Sequence, residues 1–198
     1  MVRVSQSNST KVVGVLALQG AFNSHTKVLN SIGVSTQEVR TPQDLVSVDA
    51  LVMPGGESTT MSQLLESYEL FEPIKKLIRE GLPVFGTCAG MILLANKIID
   101  GRDDQLSFGA IDIEVQRNAY GRQIDSFEAD INVKSFVSSF HAVFIRAPRI
   151  VKADGAVEIL AEFGDDIVLA KQKNVLVASF HPELSPDKRI HEMFVKEI

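Results

Sequence analysis

The chain holds one cysteine, no tryptophan and two tyrosines in 198 residues. A lone cysteine excludes an internal disulfide, and the paired-cysteine spacings of zinc sites are absent. Positive charge is also scarce. Twenty Lys and Arg stand against 25 Asp and Glu, a net charge of −5, which argues against a surface for nucleic acid or anionic membrane. No apolar run approaches the ~18–20 residues that span a bilayer. The first eleven residues are polar and lack the apolar stretch of a signal peptide. The expectation is a cytoplasmic protein in which no metal site or cofactor motif stands out. What is abundant is core material: 45% of residues are hydrophobic, enough for one compact domain at this length.

The first half alternates strand-like and helix-like segments. Residues 12–18 are nearly all apolar, as suits a parallel strand buried on both faces. Phe22, Leu29 and Ile32 recur at helical spacing, and Gly33 ends that helix. Residues 34–40 and 50–53 read as further strands, the second ending at Pro54-Gly55-Gly56. Met61, Leu64, Leu65 and Tyr68 mark another helical face. A short helix is predicted to begin at Pro73 and close at Gly81. A strand at 82–85 and a helix at 91–99 follow. This alternation predicts an α/β fold, a mostly parallel sheet with helices on both faces and a site at the carboxyl ends of the strands. Gln19-Gly20, Pro54-Gly55-Gly56 and Cys88 all fall at that edge.

The second half changes character. Ile111, Ile113 and Val115 alternate with acidic residues, as do Phe127, Ala129, Ile131 and Val133 with polar ones. These read as half-buried, antiparallel strands. Residues 157–161, 167–171 and 175–180 continue the strand-rich stretch. A final helix is predicted with Ser185 as N-cap, Pro186 in first place, and Ile190, Phe194 and Ile198 on one face.

The lone cysteine lies in Gly86-Thr87-Cys88-Ala89-Gly90, between an apolar strand and a helix. That is the setting of a nucleophile elbow with sulfur in place of oxygen. The glycines leave room for a sharp turn, and the helix N-terminus favours thiolate over thiol. A buried, inert thiol is the plainer alternative. A cysteine nucleophile needs a base and an orienting group. Of the four histidines, His181 directly follows an apolar strand, and Glu183 stands two residues on. Alone, a His-x-Glu is weak evidence; beside an elbow cysteine it suggests imidazole and carboxylate working together. His191 is placed on the exposed side of the last helix. His25 and His141 read as surface or partly packed histidines, His25 as a possible partner contact. For acyl transfer, the Ala89 N–H could supply one oxyanion donor and the Gly55-Gly56 loop another.

Four segments together resemble the class I (triad) glutamine amidotransferases: Leu16-Ala17-Leu18-Gln19-Gly20-Ala21, Pro54-Gly55-Gly56-Glu57-Ser58-Thr59-Thr60, Gly86-Thr87-Cys88-Ala89-Gly90 and His181-Pro182-Glu183. The stretches 117–123, 125–130 and 144–148 make the resemblance closest to the glutaminase subunits of pyridoxal 5′-phosphate synthases. It covers the chain from about residue 12 onward, implying one domain over 12–198 and an N-terminal extension over 1–11. It implies a three-layer flavodoxin-like fold and a Cys88–His181–Glu183 triad that converts L-glutamine to glutamate and ammonia. Gly56 and Ala89 would form the oxyanion hole. Gly56, Glu57, Ser58, Arg117, Ile145 and Arg146 would bind glutamine. The resemblance implies no cofactor. It implies a hetero-oligomeric complex with a (β/α)₈-barrel synthase subunit that consumes the ammonia, and a glutaminase that works poorly until that partner orders the Gly55-Gly56 loop. Two alternatives stay open: a glutaminase serving another synthase, such as that for imidazole glycerol phosphate, and a catalytically silent thiol or binding subunit.

Overall fold

The computed structural model describes residues 11–117 and 126–198. The predicted extension, apart from Lys11, and most of the 117–123 stretch lie outside the described residues. The first half runs β1 (Val12–Leu16), α1 (Phe22–Ser31), β2 (Ser35–Val39), β3 (Ala50–Met53), α2 (Ser58–Ser67), α3 (Phe71–Arg79), β4 (Val84–Thr87), α4 (Ala89–Leu94) and β5 (Ala95–Ile98). There follow β6 (Ile111–Gln116), β7 (Ser126–Ile131), β8 (Phe140–Ile145), β9 (Arg149–Ala153), β10 (Glu158–Phe163), β11 (Asp166–Gln172), β12 (Val175–Ala178) and α5 (Arg189–Val195).

Ten strands form one sheet in the order β2-β1-β3-β4-β12-β11-β9-β6-β5, with β10 paired to β11. From β2 to β12 the pairing is parallel. That five-strand order is the flavodoxin-like one. The chain lays β2 on one side of β1 and β3 on the other, so the loops after β1 and β3 flank the crevice where such sheets bind ligands. The later strands extend the sheet largely by antiparallel pairing, and β7 and β8 form a separate antiparallel hairpin.

Strand residues alternate between two cores, as a period of two requires. Leu51, Met53, Val84, Val175 and Val177 face α2, α3 and α4. Ala50, Val52, Phe85, Leu176 and Ala178 face α1, α5 and the β7–β8 hairpin. Every residue of β3, β4 and β12 is buried, which explains their unbroken apolar runs.

Three element boundaries differ from expectation. The predicted helix over 91–99 is two elements: α4 stops at Leu94, and Ala95–Ile98 peels off to pair with β6. An apolar run does not distinguish a buried helix from an edge strand. α3 begins at Phe71, with Pro73 in its first turn, where a missing N–H costs nothing. The last helix begins at Arg189. Ser185 instead closes a 3₁₀ turn over Pro182–Leu184, and the Asp187 carboxylate accepts the Arg189 N–H.

Candidate active site

Cys88 sits between β4 and α4 with φ +48° and ψ −105°, a conformation side chains rarely adopt. Its amide donates to the Ala178 carbonyl of β12 at 2.8 Å, and its carbonyl accepts from Ile92 at 3.1 Å. These two bonds hold the bend open. Gly90 is required there: a Cβ on it would collide with the Met53 carbonyl of β3. The first amide of α4, Ala89 N–H, has no acceptor within its helix. Cys88 as a whole is 7% exposed.

His181 follows the neighbouring strand β12. Its amide donates to Val143 of β8 at 2.8 Å, tying the hairpin to the sheet edge. The 3₁₀ turn that follows brings Glu183 back alongside, and imidazole Nδ1 stands 2.7 Å from Glu183 Oε1. Gly55 lies against both partners: a Cβ on it would strike the His181 ring and crowd the Cys88 Cβ. Burial disfavours the imidazolium, but hydrogen bonds to Cys88 and Glu183 outweigh it and push the His181 pKa up to about 10. Burial would likewise raise the Glu183 pKa; the neighbouring His25 and His181 hold it below the usual carboxylate range instead.

Around Cys88 and His181 lies a cavity of about 380 Å³ lined by Gln19, Gly56, Glu57, Ser58, Thr59, Ile92, Arg117, Ile145 and Arg146 as well. All the predicted site residues except Glu183 and Ala89 therefore line one pocket, and Glu183 stands behind His181. The Glu57 carboxylate caps α2, accepting from the amides of Thr59 and Thr60 at 3.0 and 2.6 Å. Arg117 is fixed through Nη1 to Thr59 Oγ1 and Gln105 Oε1, each at 2.8 Å. Arg146 directly follows β8 with φ +42°, the second strained non-glycine residue at this pocket. Gln19, Thr59 and Ile92 line the pocket without being among the residues expected to bind or react. Gln19 Oε1 accepts the Glu57 amide at 3.1 Å and so braces the loop after β3. The Gly55 carbonyl accepts from Ala21 N–H at 3.1 Å, and planarity then turns the Gly56 N–H away from Ala21. Among the described residues, no group of three or more His, Cys, Asp or Glu side chains could hold a metal ion.

Two of the other three histidines depart from their sequence reading, and His141 follows it. His25 and His191 are both fully buried, so His25 is no surface contact and His191 faces inward. α1 and α5 pack the same side of the sheet, and these residues fall on their inner faces. His25 Nδ1 meets His191 Nε2 at 3.0 Å. His141 is on the hairpin surface, its ring nitrogens at 2.8 and 3.0 Å from Glu128 and Asp130.

Burial lowers the His191 pKa to about 3, and lowers that of His25 despite the opposing pull of Glu183. A histidine kept neutral by folding takes up its proton on unfolding. Its contribution is intact above the unfolded pKa of about 6.5 and is lost as pH falls from there. For His191 the expected loss reaches about 2 kcal/mol at pH 5. Denaturant unfolding at pH 7.5 and pH 5 should therefore show a smaller drop for His191→Phe than for the parent. Equal drops would mean that His191 is not held neutral.

Comparison with known proteins follows the same lines. The model of the SNO glutamine amidotransferase family matches residues 15–198. The pyridoxal 5′-phosphate synthase subunit PdxT of Thermosipho africanus is 53% identical over 186 residues, 94% of this chain and 98% of that protein. The subunit of the same name from Pelotomaculum thermopropionicum is 55% identical over 186 residues, 93% of this chain and 94% of that protein. A solved glutamine amidotransferase structure superposes with a TM-score of 0.89 at 46% identity, covering 93% of this chain and 97% of that one.

Proposed function

The chain belongs to the SNO glutamine amidotransferase family, and from that premise we propose that it is the glutaminase subunit of a pyridoxal 5′-phosphate synthase, with Cys88, His181 and Glu183 as its catalytic triad. One observation carries the triad: a strained elbow cysteine and a His181–Glu183 pair at 2.7 Å meet at one pocket. The relatives point to this synthase rather than to that for imidazole glycerol phosphate.

Glutamine enters with its side-chain amide toward Cys88. Arg117 and Arg146 offer guanidinium groups for its α-carboxylate. The loop of Gly56, Glu57 and Ser58, with Ile145, shapes the remaining wall. The sulfur, its proton passed to His181, attacks the amide carbon. Gly56 and Ala89 N–H groups receive the charge that develops on oxygen. The tetrahedral adduct collapses as the imidazolium protonates the departing nitrogen, releasing ammonia and leaving a glutamyl thioester. Water, deprotonated by His181, then cleaves the thioester to glutamate and restores the thiol. Glu183 stabilises the imidazolium at both steps.

We take residues 12–198 as one domain, because a single ten-stranded sheet draws strands from Val12 to Ala178. No helix among the described residues is long and apolar enough to cross a membrane. We place the enzyme in the cytoplasm with a (β/α)₈-barrel synthase subunit that takes up the ammonia. The Gly55-Gly56 peptide can turn over at small cost, so docking can set which face meets the substrate.

The test is ammonia release from glutamine with and without the synthase subunit. Activity is expected to rise about 10²-fold on complex formation, the effect of one oxyanion donor. Full activity of the isolated subunit would contradict the switching loop. A complex that releases no ammonia would refute the glutaminase reading.

A further inference from the structure

We propose that His25 is a positioning residue for this reaction, holding the second oxygen of Glu183 so that the first stays on His181, and that His191 sets the tautomer in which it does so. The inference rests on the triad reading above.

Glu183 Oε1 is engaged by His181, while Oε2 lies 3.3 Å from His25 Nε2, with both side chains fully buried. That approach is electrostatic, since Oε2 has no aligned hydrogen-bond donor, and a carboxylate oxygen is better faced by an N–H than by a lone pair, which puts the hydrogen on His25 Nε2. The same nitrogen is hydrogen-bonded to Thr87 Oγ1 at 3.2 Å, one residue before the nucleophile, so the N–H is directed at that hydroxyl and Oε2 lies beside it. A neutral imidazole has one N–H. Nδ1 of His25 is therefore an acceptor, and its neighbour His191 Nε2 must donate across 3.0 Å. This leaves His191 Nδ1 as a bare acceptor, and that atom is buried without a partner. The opposite tautomers would set a lone pair of His25 against the Glu183 oxygen and leave a buried N–H unpaired. Orphaned acceptors, here His191 Nδ1 and Glu183 Oε2, cost less than a repelled lone pair and an unpaired N–H.

The titratable groups interacting with His25 are Glu183, His181 and His191; Phe85 meets its ring edge-on. Burial pushes both outer histidines toward the neutral form, so the Glu183 carboxylate stands between neutral imidazoles on one side and the protonated His181 ring on the other. Without the His25 ring, Oε2, which already lacks an aligned donor, would lose the partial positive charge that lies 3.3 Å from it. The carboxyl would then protonate more readily or rotate, and His181 would lose its counter-charge when it becomes imidazolium.

The experiment measures kcat, KM for glutamine and the pH profile of kcat for the complex with the synthase subunit, in the parent, His25→Leu and His25→Gln. Glutamine can present an amide N–H where Nε2 stands. His25→Leu is expected to lower kcat by about 10- to 100-fold, the size of hydrogen bonds that orient imidazole ligands elsewhere. KM should stay within about threefold, and the acid limb of the profile should move up by about one pH unit. His25→Gln should recover most of the rate and the parental limb. Parental kcat and limb in His25→Leu overturn the proposal, as does equal impairment of both variants with no shift of the limb. If His25→Leu does not fold, His191→Phe takes its place: an upward shift supports the relay and a parental profile overturns it. Turnover that survives Cys88→Ala would overturn the triad and the relay together. Turnover that needs Cys88 but ignores His25 overturns the relay alone.

Discussion

Cys88→Ala is expected to reduce ammonia release by roughly 10⁴- to 10⁶-fold, the scale on which a missing nucleophile acts in a hydrolase triad. Alanine keeps the Cβ and the turn at φ +48°, so the elbow has no new reason to relax. The Ala89 amide, the Gly55-Gly56 loop and the two arginines are untouched. Glutamine affinity should therefore stay within about threefold, since the lost contact is made fully only as the new bond forms. Calorimetric titration of the variant with glutamine, beside a coupled ammonia assay, separates the two effects. In the parent, mass spectrometry of the quenched reaction should find a glutamyl adduct on Cys88, and in the variant none. Unchanged turnover in Cys88→Ala would remove the sulfur from the mechanism.

His181→Asn should be nearly as severe, with kcat lower by about 10⁴-fold or more. Asparagine cannot take the thiol proton or return it to the leaving nitrogen. It also leaves Glu183 Oε1 without the ring N–H that meets it at 2.7 Å. Because His181 is pushed up to about 10, the ring carries a proton at neutral pH and places a cation beside the sulfur. Iodoacetamide should accordingly alkylate Cys88 more slowly at pH 7 in the variant. Fast alkylation together with normal turnover would show that some other group serves as base.

The parallel half of the fold was legible because β1, β3, β4 and β12 are buried on both faces, so their apolar runs stand out against turn residues. The pocket was legible for a related reason. Sharp loops at strand ends leave glycines in the sequence, and three such loops met where expected. Boundaries fared worse where one composition suits two structures, as at residues 91–99. His25 and His191 were misread because they are polar residues on inner helix faces. Their burial depends on each other and on Glu183, partners that no local pattern connects. Gln19 was present in a recognised segment, but its hold on the Glu57 amide is a contact between loops that only the folded chain displays.

The pairing of β4 with β12 has a consequence for how the enzyme is made. The strand that leads to Cys88 and the strand that leads to His181 are adjacent in the sheet but come from opposite halves of the polypeptide. Such a high-contact-order ladder closes slowly, and a ribosome-bound chain lacking its last strand lacks His181, the base in the proposed triad. On that reading the emerging polypeptide is expected to release no ammonia until its last strand is in place.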